Sequence, residues 1–267
     1  MKKLSLWRIR YWMLLQKARF IYNTNKLPGK FSRVYHFHIR KAAGTSVNAA
    51  FWRLGGKSLA EAGRDSVIVA GKFVFVRHNR DLIQKGDYHY ANSHAPFWEI
   101  TLPEGTFTFA VFRDPLQRLI SQYRYYHFNM NHPQAHELDP MNSSVLKYSD
   151  WLGNSFSEFL DRFPGKYLQN QLFMFSETLD VDEAMLNVKK LSRYYFQDDL
   201  PVAINELEGI CGHKLELKHE RSFPNTAGPL EPGEEDKARN LLKKEYEFYN
   251  RLMQLRNTDE VIPAGIH

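Results

Sequence analysis

At 267 residues, with 43% hydrophobic and 25% charged side chains, the chain has room for one large α/β domain with a buried core. Lys and Arg number 36 against 30 Asp and Glu, and the net charge of +6 favours an anionic partner: a nucleotide, an acidic or sulfated sugar, nucleic acid or a membrane surface. The single cysteine, Cys211 beside Gly212, excludes an internal disulfide framework and reads as a small buried hydrophobe rather than a nucleophile.

The segment from Met1 to Tyr22 is predicted as a basic, apolar helix, with Leu4, Leu6, Trp7, Ile9, Trp12, Leu14 and Leu15 broken by Arg8 and Arg10. No apolar run here approaches the roughly 20 residues of a membrane span. The short stretch from Tyr11 to Leu15 lacks a small-residue cleavage site, so no signal peptide is expected. Packing on the domain accounts for the pattern, and tryptophans beside arginines also suit a membrane surface. Residues 23–30, with Pro28-Gly29, read as a linker. The division expected is therefore residues 1–30 as basic helix and linker and 31–267 as one domain.

Val34 to Ile39 is predicted as a buried strand, followed by a tight turn through Gly44. A helix starts at Thr45 with Val47, Ala50, Phe51 and Leu54 on one face and stops at Gly55-Gly56. Short strands are expected at Val67 to Ala70 and Phe73 to Val76, and a longer one at Thr106 to Phe112. Pro115 suits the first turn of a helix running to Phe128, and Asn129 to Tyr148 reads as a long loop. The second half reads as mainly helical. Ser155 and Glu158 form a capping-box pattern before a helix that stops at Pro164. Helices are expected from Asp180 to Arg193, from Pro201 to Ile210 with Gly212 as its stop, and from Glu234 to Leu255, with a strand at Tyr194 to Phe196.

Two motifs carry chemistry. In His38-Ile-Arg-Lys41-Ala-Ala43-Gly44-Thr45-Ser46 a strand enters a turn and a helix begins. Unpaired N–H groups at a helix start, with the helix dipole, favour an anion. Gly44 would let the main chain approach it, Thr45 and Ser46 add hydroxyls, and Lys41 adds a mobile charge. The Lys precedes the Gly, unlike a Walker A loop, which weakens an ATP-dependent reading. In Arg113-Asp114-Pro115-Leu-Gln-Arg118-Leu-Ile-Ser121, an Arg at a strand end is placed to grip a second phosphate, with Ser121 two turns along the next helix. Taken alone, Gly-Thr-Ser is an ordinary helix start and Arg113 an ordinary ion-pair partner.

Together the pair resembles the nucleotide-binding signature of the sulfotransferase superfamily, which uses 3′-phosphoadenosine 5′-phosphosulfate (PAPS) as sulfuryl donor. The nearest flavour is the carbohydrate branch, including heparan sulfate 2-O- and 6-O-sulfotransferases and related bacterial enzymes. The resemblance implies a three-layer, P-loop-like α/β fold with a central, mainly parallel sheet flanked by helices. It implies that Lys41, Ala43, Gly44, Thr45 and Ser46 hold the 5′ side of the donor, Arg113 and Ser121 the 3′-phosphate, and Ser222 the closing segment. That segment, His219 to Pro224, is followed by a helix carrying Glu247 and Tyr249. The family commonly has Pro-Lys-Thr where Arg40-Lys41-Ala42 stand here, so one hydroxyl donor is missing.

Transfer to a hydroxyl needs a base, and the stretch from Tyr88 to Phe97 resembles the family region that supplies a His. His94 is the candidate, with His89 as runner-up; His36 and His38 read as packing residues. Lys41 has a second, catalytic task at the leaving oxygen. No metal is expected, since no His or Cys pair has ligand spacing. The partners implied are the anionic nucleotide and a carbohydrate or other hydroxyl acceptor, without nucleic acid and with peripheral membrane contact through the first helix as an option. A cytoplasmic location, with or without membrane association, is expected ahead of a Golgi lumen. Two rival readings are a nucleotide-dependent kinase with Asp114 on Mg²⁺ and a non-catalytic glycan- or membrane-binding protein of the same fold.

Overall fold

The computed structural model describes residues 6–63, 65–131, 149–218 and 225–257. Six strands form one sheet: β1 (Arg33–Phe37), β2 (Val67–Ala70), β3 (Phe73–Arg77), β4 (Tyr90–Ser93), β5 (Thr106–Phe112) and β6 (Arg193–Phe196). Their spatial order is β2-β3-β4-β1-β5-β6. Only the edge hairpin β2–β3 is antiparallel; the remaining neighbours run parallel. The strands are rich in Val, Tyr and Phe and nearly all buried, as a sheet covered on both faces requires.

Helices cover both faces. On one lie α1 (Leu6–Thr24) and, from the second half, two helices at Val181–Val188 and Lys243–Asn257, which enclose Tyr35, Phe37, Val74 and Phe112. On the other lie α2 (Gly44–Leu54) and the helix Leu200–Cys211, over Val34, Tyr90, Phe109 and Val111. Helix α3 is the short Leu59–Ala62, α4 is Arg80–Lys85, and α5 is Pro115–Asn131. Beyond them α6 (Ser149–Leu152), α7 (Phe156–Arg162), α8 (Gly165–Leu168) and α9 (Asn170–Phe173) lead to α10 (Val181–Val188), α11 (Leu200–Cys211), α12 (Glu234–Leu241) and α13 (Lys243–Asn257). A third cluster joins α5 to α7 and α12 through Leu119, Tyr123, Phe159 and Leu242. The three-layer α/β architecture is as expected.

Several boundaries differ. β1 stops at Phe37, so His38 and Ile39 already belong to the turn. β4 was not expected as a strand: its Tyr-Ala-Asn-Ser carries no apolar run, yet Asn92 and Ser93 are buried in mid-sheet. Ser155 caps α7 by accepting from Glu158 N at 3.1 Å, but the Glu158 carboxylate turns to Asn154 N at 3.3 Å, so the reciprocal half of the box is missing. A full box occurs instead at Ser58 and Glu61. The helix expected from Asp180 ends at Val188, because the chain must turn into β6. The final helix is two, α12 and α13, parted at Leu242. α11 ends as expected at Gly212, whose φ of 69° is the left-handed conformation that glycine adopts freely. Of the loop expected from Asn129 to Tyr148, the first three residues continue α5 and the rest lies outside the described residues.

Candidate active site

Four neighbouring strands, β3, β4, β1 and β5, end on one edge, and the residue or turn after each carries a functional side chain. Arg77-His78 ends β3, His94 follows β4, Arg40-Lys41 follows β1 and Arg113 follows β5. In an open parallel sheet this carboxyl edge is where ligands bind.

The turn after β1 has an unusual backbone. Lys41 and Ala43 hold φ of 64° and 59°, left-handed for residues with a Cβ, at a cost on the order of 1 kcal/mol each. Ala42 between them does not share the positive φ, and such alternation turns successive N–H groups to one side as an anion nest. The turn is tied from two directions. Arg40 N donates to Asn170 Oδ1 at 3.3 Å, and Arg113 Nη1 donates to the Lys41 carbonyl at 3.2 Å. Ala43 then caps α2 without a side-chain bond of its own. Lys41 Nζ lies 4.4 Å from the Tyr125 ring centroid, a cation–π contact that steers the ammonium over α5.

Gly44 meets a second constraint that the motif does not signal. A Cβ there would run into the imidazole of His38, so the glycine also makes room for a histidine. Thr45, Asn48 and Trp52, at helical spacing, line the cleft with Lys41, Arg40, Gln122 and Tyr125. Trp52 is buried, and its indole N–H has no partner among the described residues. Ser46, next to Thr45 in the first turn of α2, is buried at 7% exposure and does not line this cleft.

Arg113 is half-buried, and burial lowers its pKa, partly offset by Asp114. Its backbone is gripped twice by one side chain: Arg113 N donates to Gln171 Oε1 at 2.8 Å, and Gln171 Nε2 donates to Arg113 O at 2.9 Å. Gln171 rests in turn on Glu245, its N donating to Oε2 at 3.1 Å and its Nε2 to Oε1 at 3.2 Å. Glu245 forms a fully buried ion pair with Arg118 Nε at 3.1 Å. Thus Arg118 of the second motif is structural, two shells beneath Arg113. Glu245 and Tyr246 are the residues of α13 that support Gln171 and the start of α5. Tyr246 accepts from Leu116 N at 3.3 Å, whereas Glu247 lies on the surface with Arg251 and Tyr249 packs on Phe196. Asp114 caps α5 by accepting from Gln117 N at 2.9 Å, a role in the helix rather than the cation-ligand role a kinase reading gives it. Ser121 is half-buried, one turn before Tyr125 on the same face of α5, and does not line the cleft. Ser222 lies outside the described residues.

The two histidine candidates separate cleanly. His89 is buried with both ring nitrogens engaged: Nδ1 accepts from Val74 N at 2.9 Å and Nε2 donates to the Asn25 carbonyl. It ties the linker to the sheet and has no lone pair to offer. His94 lines both clefts at this edge, and its Nδ1, facing the His38 carbonyl at 2.5 Å, must donate. That tautomer leaves the lone pair on Nε2. Burial, with Arg40, His38 and His78 nearby, holds its pKa well below the ordinary histidine value, so the ring stays neutral. Its ring lies 4.5 Å from His38 and 4.8 Å from His78.

A second, open cleft of about 650 Å³ continues from His94. Arg40, Arg77, Arg80 and Lys166 give it positive charge, and Tyr125, Tyr167 and Phe173 give it flat apolar walls. Glu99, the one acid on its rim, is paired with Arg80. Arg77 and His78 line the cleft without a signal in either motif, because only sheet order brings them to it, while Trp52 and Tyr125 reach it from the helices that the two motifs open. Among the described residues no group of His, Cys, Asp or Glu is arranged to hold a metal ion.

The family model described as the sulfotransferase family matches residues 30–199, well over half of the chain and including both loops and His94. A comparison with curated proteins returned no match.

Proposed function

Because the chain belongs to the sulfotransferase family, we propose that it moves a sulfuryl group from PAPS to a hydroxyl of an acidic or already sulfated sugar. The observation that carries this reading is the bond from the Arg113 guanidinium to the Lys41 carbonyl, which makes the two anion-binding loops one site. The residues fit a nucleotide with phosphates at two positions. The turn at Lys41 to Ala43, Thr45 and the unpartnered Trp52 indole offer donors to one anion, and Arg113, its backbone pinned by Gln171, offers a fork to the other.

When bound, the donor supplies the sulfuryl group and leaves as adenosine 3′,5′-bisphosphate. His94 is suited to take the acceptor's hydroxyl proton on Nε2, since its other nitrogen is committed to the His38 carbonyl. Lys41 keeps an ammonium where negative charge grows on a departing phosphate oxygen, an interaction stronger in the transition state than before it. The basic, aromatic cleft beyond His94 matches an anionic sugar, with cations for its carboxylate or sulfate groups and rings for its apolar face.

Incubating the chain with radiolabelled PAPS and a panel of neutral and acidic oligosaccharides tests this. Label should move to the acidic acceptors in preference to neutral ones, and Lys41→Ala should lower kcat by at least about a hundredfold. A chain that binds adenosine 3′,5′-bisphosphate but sulfates no hydroxyl acceptor would contradict the proposal.

A further inference from the structure

Helix α1 plays no part in the site, yet its surface is not that of an ordinary covering helix. Its inner side is accounted for: Ala18 and Tyr22 are buried, and Leu14, Leu15 and Ile21 pack on the core that contains Val67, Val74 and Val76. The opposite side carries a second apolar stripe. Leu6, Ile9, Met13 and Phe20, spaced by 3, 4 and 7 residues, are 75%, 44%, 58% and 69% exposed. Trp12 adds a ring beside the stripe that is 61% exposed, and Trp7, 68% exposed, stands on the neighbouring side of the helix end. Single exposed hydrophobes need no explanation, but 6 of the 9 large ones among the described residues stand on this one helix.

The cations are arranged about that stripe. With about 100° between successive residues, Arg10 and Lys17 run along one side of it and Arg8 and Arg19 along the other. The helix contains no Asp or Glu. Tryptophan rings settle at the depth of lipid headgroups, and long basic side chains can lay their stems on apolar surface while their charge reaches outward. No helix among the described residues is long and apolar enough to cross a membrane, so a bilayer would meet this helix lying flat.

We propose that the outward face of α1 docks the protein onto a bilayer surface bearing anionic headgroups. The charge pattern selects this occupant over a second copy of the chain. Two such helices face to face would set four cations against four, with no carboxylate on either helix to separate them. A lipid surface supplies both the apolar layer and the missing negative charge. This inference does not rest on the catalytic reading.

Flotation of the full chain with vesicles of phosphatidylcholine alone, and with phosphatidylserine added, tests it. The bound fraction should be at least about tenfold greater with phosphatidylserine and should fall as salt is raised. Two double variants, Trp12→Ser with Phe20→Ser and Arg10→Gln with Lys17→Gln, should each weaken binding about tenfold. All four side chains are exposed, so thermal unfolding should be unchanged. Binding that ignores phosphatidylserine, absence of binding to both vesicles, or variants that float like the parent would overturn the proposal. So would a solution dimer that Trp12→Ser with Phe20→Ser dissolves, since a second copy would then cover the stripe.

Discussion

Residues in this protein work through what their neighbours leave available. His94 and His89 flank β4, His89 buried and His94 half-buried, and only His94 keeps a lone pair facing a cleft. His94→Ala should therefore lower kcat about a hundredfold or more while leaving adenosine 3′,5′-bisphosphate binding nearly intact, as paired kinetics and calorimetry would show. The depressed pKa of His94 also predicts a direction. Activity should stay level as the pH falls from about 8 past the ordinary histidine value, and decline only below it. A half-maximal point above that value would contradict a neutral His94. Gly44→Ala would drive a Cβ into His38, whose carbonyl holds His94. It should cost about 1–3 kcal/mol of stability in urea unfolding and lower turnover as well. The positions of Lys41, Thr45 and Arg113 at element ends were legible because strand, turn and helix are local features. The contact of Gly44 with His38 was not, since the ring comes from the preceding strand end and its orientation is tertiary.

Elements show the same division. β1, β5 and α2 follow from apolar runs and glycine stops that any chain of this composition would obey. β4 escaped because its polar residues are buried without an apolar run to announce them: Ser93 shares a hydroxyl bond of 2.7 Å with Tyr35 across the sheet, while the Asn92 side-chain amide has no partner among the described residues. The pairing of α13 with α9 was equally hidden. Glu245 looks like one more surface acid on a charged helix, but it is fully buried between Arg118 and Gln171. Removing it leaves the Arg118 charge without its carboxylate and Gln171 without its seat. Glu245→Ala should lose about 3–5 kcal/mol by denaturant unfolding. Because Gln171 grips the Arg113 backbone, Gln171→Leu should weaken bisphosphate binding without altering the Lys41 turn, which calorimetry with the bisphosphate and the 5′-monophosphate can separate.

At the scale of the whole molecule, the order β2-β3-β4-β1-β5-β6 converts separate motifs into one edge. Sheet order cannot be read from spacing, so Arg77 and His78 gave no signal. The core also stores a pH response. Burial lowers the pKa of His36 to about 4. It is neutral in the fold, while the unfolded chain takes up a proton below the ordinary value of 6.5. Its contribution is complete above that pH and lost as the pH falls toward 4, about 3 kcal/mol in all. Urea unfolding should show stability falling across that window, and His36→Gln should flatten the fall.

The central claim is that Lys41 and Arg113 hold opposite ends of one doubly phosphorylated adenosine. Calorimetric titration with adenosine 3′,5′-bisphosphate and with adenosine 5′-monophosphate, on the parent chain and on Arg113→Ala, tests it most directly. The parent should prefer the bisphosphate by at least about tenfold, and Arg113→Ala should abolish that preference while retaining the monophosphate. Equal affinity for the two nucleotides in the parent chain would contradict the account.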